Sequence, residues 1–96
     1  MLKTMSKTEK LTLIEGTFSC EEAKEVLLNI FSTKIQFHVM KNFSSIERLG
    51  KEDKNANKRI PKLKKSTEKL LKVIKQAEAK NKKLVITSEI NIVLSD

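Results

Sequence analysis

Lys34, His38 and Lys41 stand at i, i+4 and i+7, the spacing that puts three side chains on one side of a helix. Two ammonium groups and an imidazole in that arrangement suit a phosphate or carboxylate, and Arg48 or Arg59 is placed to join them. On the helix read below, however, these residues fall within the apolar face, where an unpaired charge is costly. The plainer reading is that the long side chains run past the edge of the core to water, or pair with acids across a dimer. That reading is preferred.

A second set is Lys58, Lys62, Lys65, Lys69 and Lys72, clustered on one face of a later helix, opposite Ile60, Leu63, Leu70 and Ile74. Positive charge at regular intervals is all that contact with a nucleic-acid backbone requires, and such binding is non-specific and salt-sensitive. The stripe itself offers no arginine fork and no aromatic ring for base readout. A lysine-rich helix face is most often simply solvated, so nucleic-acid binding ranks second to that. Between residues 51 and 83 thirteen Lys and Arg face four Asp and Glu, so this segment holds the whole positive surplus of a chain with formal charge +8. Any anionic partner would be sought there first.

Little else could do covalent chemistry. Glu21, Glu22 and Glu25 are accounted for by helix capping and the helix dipole. Cys20 lies at a helix N-terminus, an environment that activates thiols, but His38 is about 27 Å further along the same helix, too far for a Cys–His pair. With one cysteine, one histidine and two glycines, a disulfide framework, a Cys/His zinc site and a glycine-rich phosphate loop are all excluded. No cofactor and no enzyme activity are expected. Four Phe without Trp or Tyr leave no stacking platform for bases. The first residues lack the apolar core of a signal peptide, and no apolar run approaches the roughly 18 residues of a membrane span, so cytoplasmic residence without membrane contact is expected.

The elements that must position these groups are legible. With 96 residues, 39% hydrophobic and 33% charged, the chain is long enough for one domain with a polar exterior. Residues 1–9 read as a polar, flexible tail, with Met5 an alternative start, and residues 10–96 as a single domain. Lys10 to Phe18 reads as a strand with Leu11 and Leu13 on one face and a bulge or turn at Gly16. Ser19-Cys20-Glu21-Glu22 is a capping box, with Phe18 and Ala23 placed as a hydrophobic staple. The helix it opens has no breaker until Gly50. Ala23, Leu27, Ile30, Phe31, Ile35 and Phe37 share one broad face, with Val39, Phe43 and Ile46 drifting aside.

Lys51-Glu52-Asp53 makes a short connection to an antiparallel second helix, whose stripe is Ile60, Leu63, Thr67, Leu70, Ile74 and Ala77, widened by Leu71. Pro61 allows two starts, at the proline itself or near Lys54, and continuation from Lys54 is preferred. Asn81 is a left-handed stop. From Leu84 the alternation Leu84, Ile86, Ile90, Ile92, Leu94 predicts a strand of about eleven residues that outreaches the first. The expected fold is α+β, a long two-helix hairpin flanked by N- and C-terminal strands (β-α-α-β) that pair antiparallel beneath the helices. Two strands alone are marginal, so a homodimer that joins two pairs into one sheet is expected.

Leu11-x-Leu13-x-x-Gly16-x-Phe18-Ser19-x-x-Glu22-Ala23, Lys34-Ile35-x-Phe37-His38-x-x-Lys41, Arg59-Ile60-x-x-Leu63 and the closing Ile-x-Ile strand resemble a group of small bacterial proteins of unassigned function. The resemblance covers most of residues 10–94 and implies the same strand, helical hairpin, strand order. Its motifs are structural and bring no activity with them, and Pro61 departs from the smooth helix the group suggests. The functional reading is a non-catalytic homodimeric interaction or structural protein of unnamed partner. Non-specific nucleic-acid binding and small-anion binding are the alternatives.

Overall fold

The computed structural model of the chain describes residues 8–96; the expected flexible tail, apart from its last two residues, and the alternative start at Met5 lie outside the described residues. The order is β1 (Glu9–Phe18), α1 (Cys20–Leu49), α2 (Lys54–Ala79), β2 (Leu84–Ile92), with β1 and β2 antiparallel. The β-α-α-β hairpin is therefore as the sequence predicts.

Each helix end is fixed by local chemistry. The Ser19 amide donates to Glu22 Oε1 at 2.9 Å and the Glu22 amide donates to Ser19 Oγ at 3.1 Å, closing the capping box. Gly50 ends α1 in the left-handed conformation, φ 69°. Asp53 caps α2 by accepting from the Ala56 amide at 2.8 Å, and its own amide donates to Asn42 Oδ1 at 2.7 Å, tying the turn to α1. Ser45 Oγ adds a 2.8 Å bond to the Lys51 carbonyl. α2 runs through Pro61 without a break. It closes on Asn81 at φ 54°, with the Asn81 amide on the Glu78 carbonyl and the Lys82 amide on Ala77, the paired bonds of a Schellman stop.

The helices meet along a seam with near-heptad spacing. α2 contributes Ala56, Ile60, Leu63, Thr67, Leu70, Ile74 and Ala77, all buried or half-buried, in strict alternation of four- and three-residue steps. α1 contributes Ala23, Leu27, Phe31, Ile35, His38, Asn42 and Ser45. This is the repeat that keeps two helices in contact over many turns. One α1 expectation is corrected: Ile30 and Phe37 do not join the seam but stand 37% and 52% exposed, because one partner helix covers only one stripe.

The strands differ from expectation in three ways. β2 ends at Ile92, leaving Val93 and Leu94 outside it, so the two strands nearly match in length and β2 does not outreach β1. The bulge falls at Leu13 rather than Gly16: Thr12 pairs with Glu89 and Ile14 with Ser88, skipping Leu13. The extra residue moves Ile14, Gly16 and Phe18 onto the face that carries Leu11, Leu84, Ile86, Ile90 and Ile92. Gly16, at φ 155°, stands beside the Phe18 ring within that register.

The ribbon also does not lie beneath the helices. The Cα radius of gyration is 17.5 Å against about 12 Å for a compact chain of this length. The extents, 50 × 40 × 15 Å, suit a flat L in which the ribbon turns aside from the hairpin. Near the corner Ile14 is buried and Phe18, Leu84 and Ile86 are half-buried, but Leu11, Ile90 and Ile92 stay 39–50% exposed. No helix among the described residues is long and apolar enough to cross a membrane.

The capping box joins strand to helix at the corner of the L. Ser19→Ala is expected to lower stability by about 0.5–2 kcal/mol, read as a shift in the denaturation midpoint; an unmoved midpoint would show that the cap is not what starts α1.

Candidate functional site

His38 sits at the middle of α1 and faces into the seam, 3% exposed, and neither ring nitrogen has a hydrogen-bond partner among the described residues. Lys34 and Lys41 on the same helix and Arg59 from α2 surround it with positive charge, with the Asp53 carboxylate the opposing influence. Burial first, and these cations next, push the imidazole below its ordinary value of 6.5. His38 is therefore held neutral at neutral pH.

The two lysines predicted to share a site with His38 point elsewhere. Both are exposed, and their ammonium groups lie 5.0 Å (Lys34) and 5.7 Å (Lys41) from the centre of the Phe37 ring. Phe37 meets His38 edge-on, ring centres 5.3 Å apart and planes at 74°. The arrangement is thus an exposed aromatic ring between two cations, backed by a buried imidazole. Lys34 opens onto an apolar depression with Asn29, Ile30, Thr33 and Phe37, whereas Lys41 borders another with Ser44, Ser45, Arg48, Leu49 and Asp53.

On α2, Lys62, Lys65, Lys69 and Lys72 line one shallow groove, joined by Arg59, Ser66 and Glu68; Lys58 lies on the same face beyond that lining. Arg59 is the addition over the sequence reading, and Glu68 is the one acid. Cys20 is half-buried and donates its thiol hydrogen to the Lys82 carbonyl, Sγ to O 3.4 Å, stitching the start of α1 to the end of α2. Its place is structural. Among the described residues no three His, Cys, Asp or Glu side chains gather as metal ligands would.

The feature the sequence reading passed over is the outer side of α1. Val26, Ile30, Phe37, Val39, Met40, Phe43, Ile46 and Leu49 are all 37–67% exposed, whereas α2 exposes only Leu71 and Val73 among its large apolar residues. The signal was in the sequence: α1 carries apolar residues nearly all round, which marks a helix buried on several sides. A scan against protein-family models, curated proteins and solved structures finds no match.

The neutral state of His38 makes a pH prediction. Between its depressed folded value and 6.5 the unfolded chain binds the proton and the folded chain does not, so stability falls as pH drops through that window. His38→Leu should flatten the dependence of the denaturation midpoint between pH 7 and about 5, above the range where carboxylates titrate. A dependence unchanged by the substitution would remove His38 as its cause.

Proposed function

We propose that this chain is a non-catalytic interaction or structural protein that works as a homodimer. The observation that carries the reading is the apolar surface of α1, too extensive for a single hairpin partner to cover. Large exposed apolar patches on soluble chains mark contact surfaces. The ribbon points the same way, because its apolar face runs on through Leu11, Ile90 and Ile92 past what the helices shield. A ribbon of two strands also leaves an open edge on each, and two-fold pairing through such edges is a common route to a continuous sheet. Another copy of the same chain meets these surfaces with surfaces of the same kind. Light scattering at tens of micromolar chain should give twice the 11.0 kDa chain mass; a monomer at that concentration defeats the reading.

A second reading rests on the α2 groove, where Arg59 adds a forked donor to four lysines. Arginine binds phosphate through paired hydrogen bonds that lysine cannot make, so a nucleic-acid backbone is the ligand such a groove would take. The first reading gives the lysines a solvating role and expects no retention of DNA or RNA at about 50 mM salt. Retention that weakens on a log–log plot against salt with a slope near −3 to −5, about −0.9 per phosphate, would establish the second reading. Lys65→Glu with Lys69→Glu should then weaken binding to all sequences alike, since backbone contacts carry no base preference.

A further inference from the structure

One of the two exposed apolar flanks of α1 is ordered, the other being formed by Val39, Phe43 and Ile46 across the seam. Val26, Ile30, Thr33, Phe37, Met40 and Ser44 follow one another at four- and three-residue steps, the same repeat as the seam with α2 but on a neighbouring flank. All but Ser44, which is half-buried, are exposed. A helix that shows this repeat to solvent offers a second coiled-coil-like face.

The depression on that flank has a specific shape. Ile30, Thr33, Lys34 and Phe37 line it, and these stand at i, i+3, i+4 and i+7, the four corners of the hole that receives one side chain of a facing helix. The Lys34 ammonium stays over the Phe37 ring, so its alkyl stem can wall the hole while the charge remains at the rim.

Two further features select the occupant. The flank spans residues 26–44 and its midpoint, residue 35, is also the midpoint of α1 (Cys20–Leu49). Two copies laid antiparallel about that point overlap over the full helix, about 45 Å. The charges along α1 reverse at the same place. Before it lie three acids, Glu21, Glu22 and Glu25, and two lysines, Lys24 and Lys34; after it lie Lys41 and Arg48 with one acid, Glu47, so the two halves carry −1 and +1. Antiparallel pairing sets the acidic half of each helix against the basic half of the other and aligns opposite ends of the helix dipoles. Parallel pairing sets like on like.

We infer that α1 recognises α1 of a second copy, antiparallel, with a two-fold axis crossing near Ile35. Each Phe37 seats in the hole formed by Ile30, Thr33, Lys34 and Phe37 of the other copy, with Met40 against Ile30 and Ser44 against Val26. The axis makes the contact isologous, so one side chain serves as both knob and wall. This rests on the homodimer reading above and assigns the contact to α1 rather than to the ribbon edges.

The test uses the full chain with Cys20→Ser, which keeps a donor to Lys82, and a spin label at Gln36→Cys or Glu47→Cys. Antiparallel α1 pairing predicts about 10–20 Å between labels at 36 and about 35–40 Å between labels at 47, from the 1.5 Å rise about residue 35. Phe37→Glu should raise the dimer dissociation constant at least about thirtyfold, the loss expected of a buried aromatic anchor, with the helical content unchanged because Phe37 is outside the seam. Short distances at both positions would mean parallel pairing and overturn the inference. A dimer that survives Phe37→Glu, or that holds the labels at 36 beyond about 30 Å, would leave the homodimer standing and place its contact elsewhere. An unlabelled chain that is monomeric throughout defeats both.

Discussion

A pair of helices can hide only one stripe of each from water, and that limit governs this molecule. α2 nearly obeys it: apart from Leu71 and Val73, its large apolar residues form one strict repeat, and the remaining circumference is lysine-rich and solvated. α1 does not, since apolar side chains extend well beyond the stripe that α2 covers. A monomeric hairpin therefore satisfies α2 and leaves α1 with apolar surface in contact with water. The uncovered area, together with the distal ribbon, is the main unfavourable feature of the isolated chain.

The rest of the architecture follows from how the hairpin is held at its two ends. At the closed end Asn42 and Ser45 of α1 accept from and donate to the turn, so the connection is drawn down onto the helix it leaves. At the open end the Cys20 thiol reaches the Lys82 carbonyl, which keeps the start of α1 beside the exit of α2. The two strands must then depart from neighbouring points in opposite chain directions, and antiparallel pairing is the result. The bulge at Leu13 puts Leu11 and Ile14 on the same side, so the ribbon has one apolar face instead of two mixed ones. Because the ribbon turns away from the helices, only the part of that face near the corner is covered.

The features most legible in sequence were those set by a few adjacent residues. The capping box at Ser19, the glycine stop at Gly50, the left-handed Asn81 and the heptad stripe of α2 each depend on local spacing, and each stands as read, except that Leu71 is exposed beside the stripe and does not widen it. Continuation of α2 through Pro61 was legible from what precedes it, because Asn55 to Arg59 is too long a stretch for a loop. The misreadings arose where geometry beyond the element decides. Leu11 and Leu13 alternate as a strand should, and only the register with β2 shows that Leu13 is the extra residue. Lys34, His38 and Lys41 share a side of the helix by spacing, and there the plainer reading agrees with the structure, since the contact with α2 buries His38 while both lysines run past its edge to water. Ile30 and Phe37 read as core from spacing but stand outside the seam, since hydrophobicity does not say which of several apolar flanks a partner will choose.

His38 adds a constraint at the centre of that seam. An imidazole with no hydrogen-bond partner among the described residues gives less stability than a leucine would at the same position, because its nitrogens are desolvated and receive nothing in return from them. Its neighbours make protonation no remedy, as Lys34, Lys41 and Arg59 oppose a further positive charge. The caps and side-chain bonds that close the turns lie at the ends of the hairpin, away from His38. Phe37 packs edge-on against this ring from the outer side, with a lysine on either flank. The residue that carries the proposed contact with a second copy therefore also packs against the buried imidazole. Seating Phe37 against another helix would cover the exposed half of its own ring and hold it against His38, so the proposed association would add to hairpin stability through a single pair of rings.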